Sequence, residues 1–323
     1  MNFLITLAAI LFGTGVWLYI LRRYDRIEPE AIRSLIVVAV VGGVASVAVS
    51  ATLNEFISSR IGIRAELFET ERVVSIGSLA LFCLFVGLNE EIWKATAAVF
   101  TTRRLGDMNE PIDAMIYAMT VGLGFASVEN LIYATRFGNE VLLVRFLWPV
   151  PAHMAYAAVW GYGLARARFI YPHRSRLRTV TPSVLLAAVF HAGANFLLFL
   201  QELVPAVLSL VAVAALAYMA HVRLNRLVAE SPFLEPGECP VCRNLNQPDA
   251  AVCVHCETPL LNTEMFTNCP CGRARIPVNA ERCRACGLLI SEAEALKAAG
   301  RRGRYFPRTP WRSSISWKGR AGD

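Results

Sequence analysis

Apolar positions fill the first two thirds of the chain in seven runs, approximately residues 3–20, 32–53, 73–100, 111–133, 148–164, 181–200 and 205–221, separated by short polar loops. At about 1.5 Å of helix per residue, such runs match a hydrocarbon layer of about 30 Å. The pattern predicts an all-α polytopic membrane bundle of seven helices over residues 1–228. Gly122, Gly124, Pro149 and Pro151 interrupt it, which leaves room for an added re-entrant piece over 141–148. After residue 228 the apolar runs cease. A cysteine-rich segment, 235–290, is followed by a basic tail, 291–323, expected to be disordered.

Composition sharpens this picture. Hydrophobic residues make up 55% of the 323 and the mean hydropathy is +0.45, more apolar surface than one water-soluble core can hide, so the bilayer is its natural solvent. Loops 21–33, 101–110 and 165–178 hold four, two and five arginines, whereas 54–72 and 135–147 hold three and two. Eleven against five puts the first group in the cytoplasm. Seven crossings then leave the N-terminus outside and the cysteine-rich end inside, as expected of a multi-pass protein of a bacterial cell membrane. The first run starts Met1-Asn2 without a basic stretch and ends in Leu21-Arg22-Arg23 instead of a small-residue cleavage site, so it reads as a retained helix.

Eight of nine cysteines fall between Cys239 and Cys286 in close pairs; the ninth, Cys83, lies in an apolar run. Cys239-Pro-Val-Cys242 and Cys253-Val-His-Cys256 are knuckles ten residues apart, and Cys269-Pro-Cys271 and Cys283-Arg-Ala-Cys286 are knuckles eleven apart. Each pair of knuckles suits one tetrahedral zinc held by four thiolates, giving a double zinc ribbon with two structural zinc ions. Reduced thiolates agree with a cytosolic position, and a closed ligand set points to recruiting or sensing a cytoplasmic protein partner, not to catalysis. His255 is expected on the surface. The formal charge of +7 is comparable to the excess in the tail, whose arginines interleave with Tyr305, Phe306, Trp311 and Trp317 and suit an anionic leaflet. Nucleic acid is a weaker fit.

Ionisable groups inside a membrane helix cost about 2.5 to 3.5 kcal/mol each at its centre, so their positions carry the chemistry. The third run contains Asn89, Glu90, Glu91 and Lys94; the fourth Glu129 and Asn130; the fifth His153; the sixth His191 and Asn195. Counting inward puts Glu90, His153 and His191 at one level, roughly 15 to 20 Å deep. Glu129 counts out further toward the other face. Glu90 and Lys94, Glu91 and Lys94, and His191 and Asn195 stand three or four apart, each on one helical face. Two carboxylates and two imidazoles at one depth can move protons; the bland alternative has the glutamates near the interface, Lys94 snorkelling and the histidines bonding neighbouring helices. Ser127, Tyr133 and Trp160 read as packing residues, and Gly161 and Gly163 as close helix contacts. Asp113 stands without a facing aspartate.

Taken together, Glu90-Glu91-x-x-Lys94, a Gly-Phe-Ala-x-x-Glu-Asn stretch ending in Glu129-Asn130, Arg145 with the following His153, and His191-x-x-x-Asn195 resemble the motifs of the PrsW family of intramembrane proteases and, more distantly, the type II CAAX prenyl endopeptidases. The likeness covers about residues 70–200. It implies proteolysis of a membrane-anchored protein, with Glu90, Glu91 and His191 as critical residues and Glu129, His153 and Asn195 in support. Bacterial members of that family are associated with membrane-anchored regulators such as anti-sigma factors, a substrate class this sequence does not itself carry.

A water must be deprotonated and an oxyanion stabilised where the dielectric is low. Glu90 is the candidate base, with Lys94 beside it, and His191 with Asn195 the candidate donors. A zinc form would use His153, His191 and a glutamate, although there is no His-Glu-x-x-His to favour it. Nor is there a Gly-x-Ser-x-Gly elbow. The expectation is therefore a glutamic intramembrane endopeptidase, with a metal at the membrane site left open. A non-catalytic receptor or scaffold is the rival class; a transporter is disfavoured because no inverted repeat is visible. Separation of Glu90 from His191 beyond about 10 Å would count against catalysis.

Overall fold

The computed structural model describes residues 3–61, 75–105, 108–170, 175–231, 233, 238–239, 241–242, 244–246 and 252–258, together with the backbone of 266–268 and 275–277. Helix α1 is Phe3–Arg22. The second apolar run folds as α2 (Ile32–Val37) and α3 (Gly43–Ile61), joined in line by a π turn at Val38–Gly42. Then come α4 (Ile76–Leu105), α5 (Pro111–Phe137), α6 (Val141–Leu147), α7 (Pro149–Ala165) with a π turn at Arg166–Ile170, α8 (Arg176–Phe199) and α9 (Leu203–Ala229). Among the described residues, seven helical stretches are long and apolar enough to cross a membrane, as the hydrophobic pattern predicts.

The fold is organised around α5, which packs on α7, α1, α3 and α4, while α8 lies on α4 and α7. Every residue of α5 from Pro111 to Ala126 is buried. The helix starts where a helix can: Pro111 needs no N–H partner in the first turn, and the Asp113 carboxylate accepts from the backbone N–H of Asn109 and Glu110, at 2.8 and 2.7 Å. Outward-facing Phe12 and Leu203 remain 74% and 78% exposed. A bundle apolar on its outer as well as its inner faces has lipid for its solvent.

Three details depart from the hydrophobic pattern. Helix α5 runs unbroken through Gly122 and Gly124, although glycines interrupt the apolar run there. Instead the glycines let backbones meet: a Cβ at Gly122 would lie 2.6 Å from the carbonyl oxygen of His153, and one at Gly124 would collide with that of Ala39 in the first π turn. The helices also outrun the apolar stretches, α3 reaching Ile61, α4 Leu105 and α9 Ala229, because backbone hydrogen bonding does not stop where the apolar side chains do. Finally, Val141–Leu147 is a separate short helix, and Pro149 opens α7 after the chain turns at Trp148. A Gly124→Val substitution should cost about 1 to 3 kcal/mol through overpacking. Thermal unfolding in detergent would measure it, and an unchanged midpoint would show that α2, the π turn and α3 can move off α5.

The basic tail and the cysteines of the second ribbon, Cys269, Cys271, Cys283 and Cys286, lie outside the described residues. The segment around the first two of these is flanked by antiparallel strands β1 (Phe266–Asn268) and β2 (Arg275–Pro277), with Asn268 opposite Arg275.

Candidate active site and metal centre

Four helices bring the expected polar residues to one place. Lys94 on α4, completely buried, points its Nζ at Glu91 Oε1 (2.8 Å), Glu90 Oε2 (3.5 Å) and His153 Nδ1 on α7 (2.8 Å). Snorkelling is thereby excluded. The α4 spacing makes this possible, since residues three and four apart share a face, and the ammonium lies 4.0 Å from the Phe125 ring centroid.

His191 on α8 meets the pair from the other side. Its Nδ1 is 2.9 Å from Glu91 Oε1 and its Nε2 is 3.7 Å from Glu90 Oε2, far inside the separation that would have argued against joint chemistry. Because a carboxylate only accepts, this bond assigns the Nδ1–H tautomer to a neutral His191 and leaves the Nε2 lone pair facing Glu90. Glu91 takes a further bond from the Trp160 indole N–H at 3.0 Å. Tyr156 stacks on the His191 ring with centroids 4.8 Å apart.

Glu129 belongs to the same cluster despite its sequence depth. Its Oε2 is 3.0 Å from His153 Nε2 and accepts from Arg145 Nη2 at 2.9 Å, while Arg145 Nε donates to Asn130 Oδ1 at 2.7 Å. The added helix α6 supplies that arginine, which depth counting along single helices could not foresee. With Glu129 accepting, His153 donates from Nε2 and receives Lys94 at Nδ1.

Glu90, Glu129, His153, His191 and Asn195 all line a cavity of about 500 Å³ whose walls are otherwise mainly apolar. Glu91 and Lys94 stand behind it. Asn195 forms no side-chain hydrogen bond among the described residues and lines the cavity. The sequence reading missed Asn54 on α3, whose Nδ2 donates to Glu90 Oε1 at 3.2 Å and which in turn receives Asn89 Nδ2 at 2.8 Å. It also treated Trp160 as packing alone. Trp160, Tyr156 and His153 sit at i, i−4 and i−7 on one face of α7, which was the available signal.

One ligand atom from each of Glu90, His153 and His191 lies within 4.8 Å of the others. Two imidazoles and a carboxylate are a donor set suited to a catalytic zinc with an open position. At the far end of the chain, Cys239, Cys242, Cys253 and Cys256 offer sulfurs within the same limit, with Sγ–Sγ distances of 3.6 Å for Cys239–Cys256 and 3.5 Å for Cys242–Cys253. Four sulfurs at about 2.3 Å from a tetrahedral zinc would lie about 3.7 Å apart, so the four cysteines can hold a metal ion. His255 is exposed and outside the set.

A family model described as PrsW family intramembrane metalloprotease matches residues 30–222, more than half of the 323 and wider than the motif region alone. Among curated proteins, the chain is similar to Protease PrsW of Halalkalibacterium halodurans (33% identical over 38% of this chain and 55% of that protein), of Bacillus subtilis strain 168 (30%, over 38% and 56%) and of Shouchella clausii (29%, over 41% and 60%). The chain thus spans little more than half the length of the curated relatives it matches. No solved structure matches. Through a match that takes in six of the seven apolar spans and every polar residue of the cavity, the chain belongs to the PrsW family of intramembrane metalloproteases.

Proposed function

We propose that the chain is an intramembrane endopeptidase that hydrolyses a membrane-anchored protein, with Glu90, His153 and His191 forming its reacting centre. The observation that carries this reading is the convergence of those three side chains, from three helices, at one mostly apolar cavity. Costly groups gathered at one point in a membrane domain favour chemistry over scaffolding.

Glu90 holds a water against its Oε2, takes its proton as the oxygen attacks the scissile carbonyl, and returns that proton to the departing amine as the C–N bond breaks. His191, kept in one tautomer by Glu91, accepts from that same water through Nε2. Asn195, one turn on from His191, donates to the developing oxyanion. Lys94 offsets charge on Glu90 and Glu91, and Arg145 on Glu129. In the metal-assisted form that the family description and the donor set favour, Glu90 would be a ligand beside His153 and His191 in place of acting as the base. A zinc bound there would polarise both the water and the carbonyl. The metal-free glutamic form keeps one observation in its favour: both nitrogens of His153 are already engaged, by Lys94 and by Glu129.

The cysteine ribbons serve as a cytoplasmic accessory holding two structural zinc ions, and the N-terminus lies outside a bacterial cell membrane. Purified protein in liposomes, offered a panel of fluorogenic single-span peptides, should cleave at least one of them. Total zinc should be three per chain for the metal form, falling to two in His153→Ala, and two in both proteins for the glutamic form. Wild-type protein that cleaves no membrane-spanning peptide, with anti-sigma-like single-span proteins included, sinks the reading. Cys239→Ser should release one zinc and unfold the first ribbon while leaving the helical content of the bundle intact; zinc analysis and circular dichroism read both, and an unchanged zinc count would rule out this ligand set.

A further inference from the structure

Outside the cavity, at the end of the bundle from which the ribbon segment departs, three more carboxylates meet. Asp25 follows α1, Glu110 precedes α5 and Asp113 lies in its first turn, and one oxygen of each falls within 4.8 Å of the others. All three residues are almost completely inaccessible, at 2%, 1% and 0% exposure. Each is anchored through one oxygen only. Asp25 Oδ2 accepts the backbone N–H of Glu30 at 2.6 Å, Asp113 Oδ2 takes those of Asn109 and Glu110, and Glu110 Oε2 takes the Ser231 hydroxyl. The opposite oxygens, Asp25 Oδ1, Glu110 Oε1 and Asp113 Oδ1, are buried without a hydrogen-bond partner.

Buried carboxylate oxygens without a partner are an arrangement that proteins rarely tolerate, since each unsatisfied acceptor is costly, and a proton shared between Glu110 and Asp25 relieves only that pair. No lysine or arginine among the described residues forms an ion pair with any of them. Arg22, whose charge acts on Asp25, gives its Nε to the carbonyl of Glu30. Burial, and then the neighbouring acids, push Glu110 up to about 8, and burial pushes Asp25 up to about 6. Among neutralising partners, a hard cation satisfies all three oxygens at once.

We propose that Asp25, Glu110 and Asp113 bind a divalent cation of the calcium or magnesium class. Carboxylate oxygens are the ligands such ions select, and calcium–oxygen bonds of about 2.4 Å place ligands up to about 4.8 Å apart, so calcium fits the spacing better than the shorter-bonded magnesium. The site joins three separate parts of the chain. Asp25 brings the segment after α1, Glu110 and Asp113 the start of α5, and Glu110 holds Ser231, two residues beyond the end of α9. Loading the site therefore fixes the point at which the chain leaves the bundle for the cysteine ribbon. This inference stands apart from the proteolytic reading, since none of its residues touches the cavity.

Full-length protein in detergent, dialysed free of divalent ions, would be titrated with radioactive calcium, and separately with manganese followed by electron paramagnetic resonance as the probe for the magnesium arm. The expected result is one saturable site per chain, tighter for calcium, weakened at least roughly tenfold by Asp25→Asn or Asp113→Asn and kept in Glu90→Gln. Wild-type melting temperature should rise with calcium by more than with sodium at matched ionic strength. Should Asp113→Asn fail to fold, Asp25→Asn, outside any helix, and the wild-type titration decide the matter. Absence of saturable binding of either ion at about 1 mM, binding that survives loss of the carboxylates, or binding lost with Glu90 would each overturn the proposal.

Discussion

Lys94→Met should lower the stability of the bundle by about 3 to 5 kcal/mol, the range seen when one partner of a buried ion pair is removed. The substitution keeps an unbranched side chain of similar reach, so packing changes little. What it removes is the charge that faces Glu91 at 2.8 Å and Glu90 at 3.5 Å with side-chain exposures between 0% and 6%. Glu91 would keep its bonds from Trp160 and His191, but Glu90 would lose the Lys94 ammonium, and His153 Nδ1 its donor. The double variant Lys94→Met with Glu91→Gln should recover part of the loss, because it deletes one of the stranded charges. Thermal unfolding in detergent, followed by circular dichroism, gives the comparison. A single variant that melts with the wild type would mean that Lys94 is not the counter-charge of the site.

Why so much of this arrangement could be read from sequence follows from the cost of polar groups in lipid. Seven apolar runs admit few architectures, and Glu90, Glu91, Lys94, His153 and His191 stand out because they interrupt otherwise apolar runs. Helical periodicity then fixes which of them share a face. Depth counting worked for Glu90, His153 and His191, which lie on helices that cross similarly. It misled for Glu129, because the reach of a glutamate side chain and the intervention of Arg145 from α6 depend on how helices are arranged, not on how long they are. Asn54 and Trp160 were hidden for a related reason: an asparagine near the end of a span and a tryptophan in an apolar run are common, and only the fold shows that Glu90 and Glu91 need them. The Gly122 and Gly124 pair was read by its local tendency to loosen a helix, whereas tertiary contact with His153 and Ala39 decides their use. The acid group of Asp25, Glu110 and Asp113 was invisible because its members are 85 residues apart between Asp25 and Glu110 and meet only after α1 packs on α5.

Neighbouring Glu90 and Glu91 have the same chemistry and opposite surroundings, so substitution should separate a reacting carboxylate from a positioning one. Glu90 faces the cavity, and its Oε1 accepts from Asn54. A glutamine there can keep that bond through its own carbonyl oxygen, and Lys94 keeps Glu91. Glu90→Gln should therefore leave the melting temperature close to wild type while lowering kcat by about 10³-fold, the middle of the range for loss of a general base. Glu91 is enclosed by three donors, the Lys94 ammonium, His191 Nδ1–H and Trp160 Nε1–H. Its replacement by glutamine must turn an NH₂ group toward one of them, leaving donors opposed in a dry place. Glu91→Gln should cost about 1 to 3 kcal/mol of stability as well as activity, and cleavage per folded molecule should fall through kcat with KM little changed, because His191 loses its fixed orientation while the cavity keeps its walls. Trp160→Phe removes only one of the three donors and should show the same pattern more weakly. Retention of more than a tenth of wild-type kcat by Glu90→Gln would transfer the proton-accepting role elsewhere, and His191, whose Nε2 faces the same water position, would then be the group to test next.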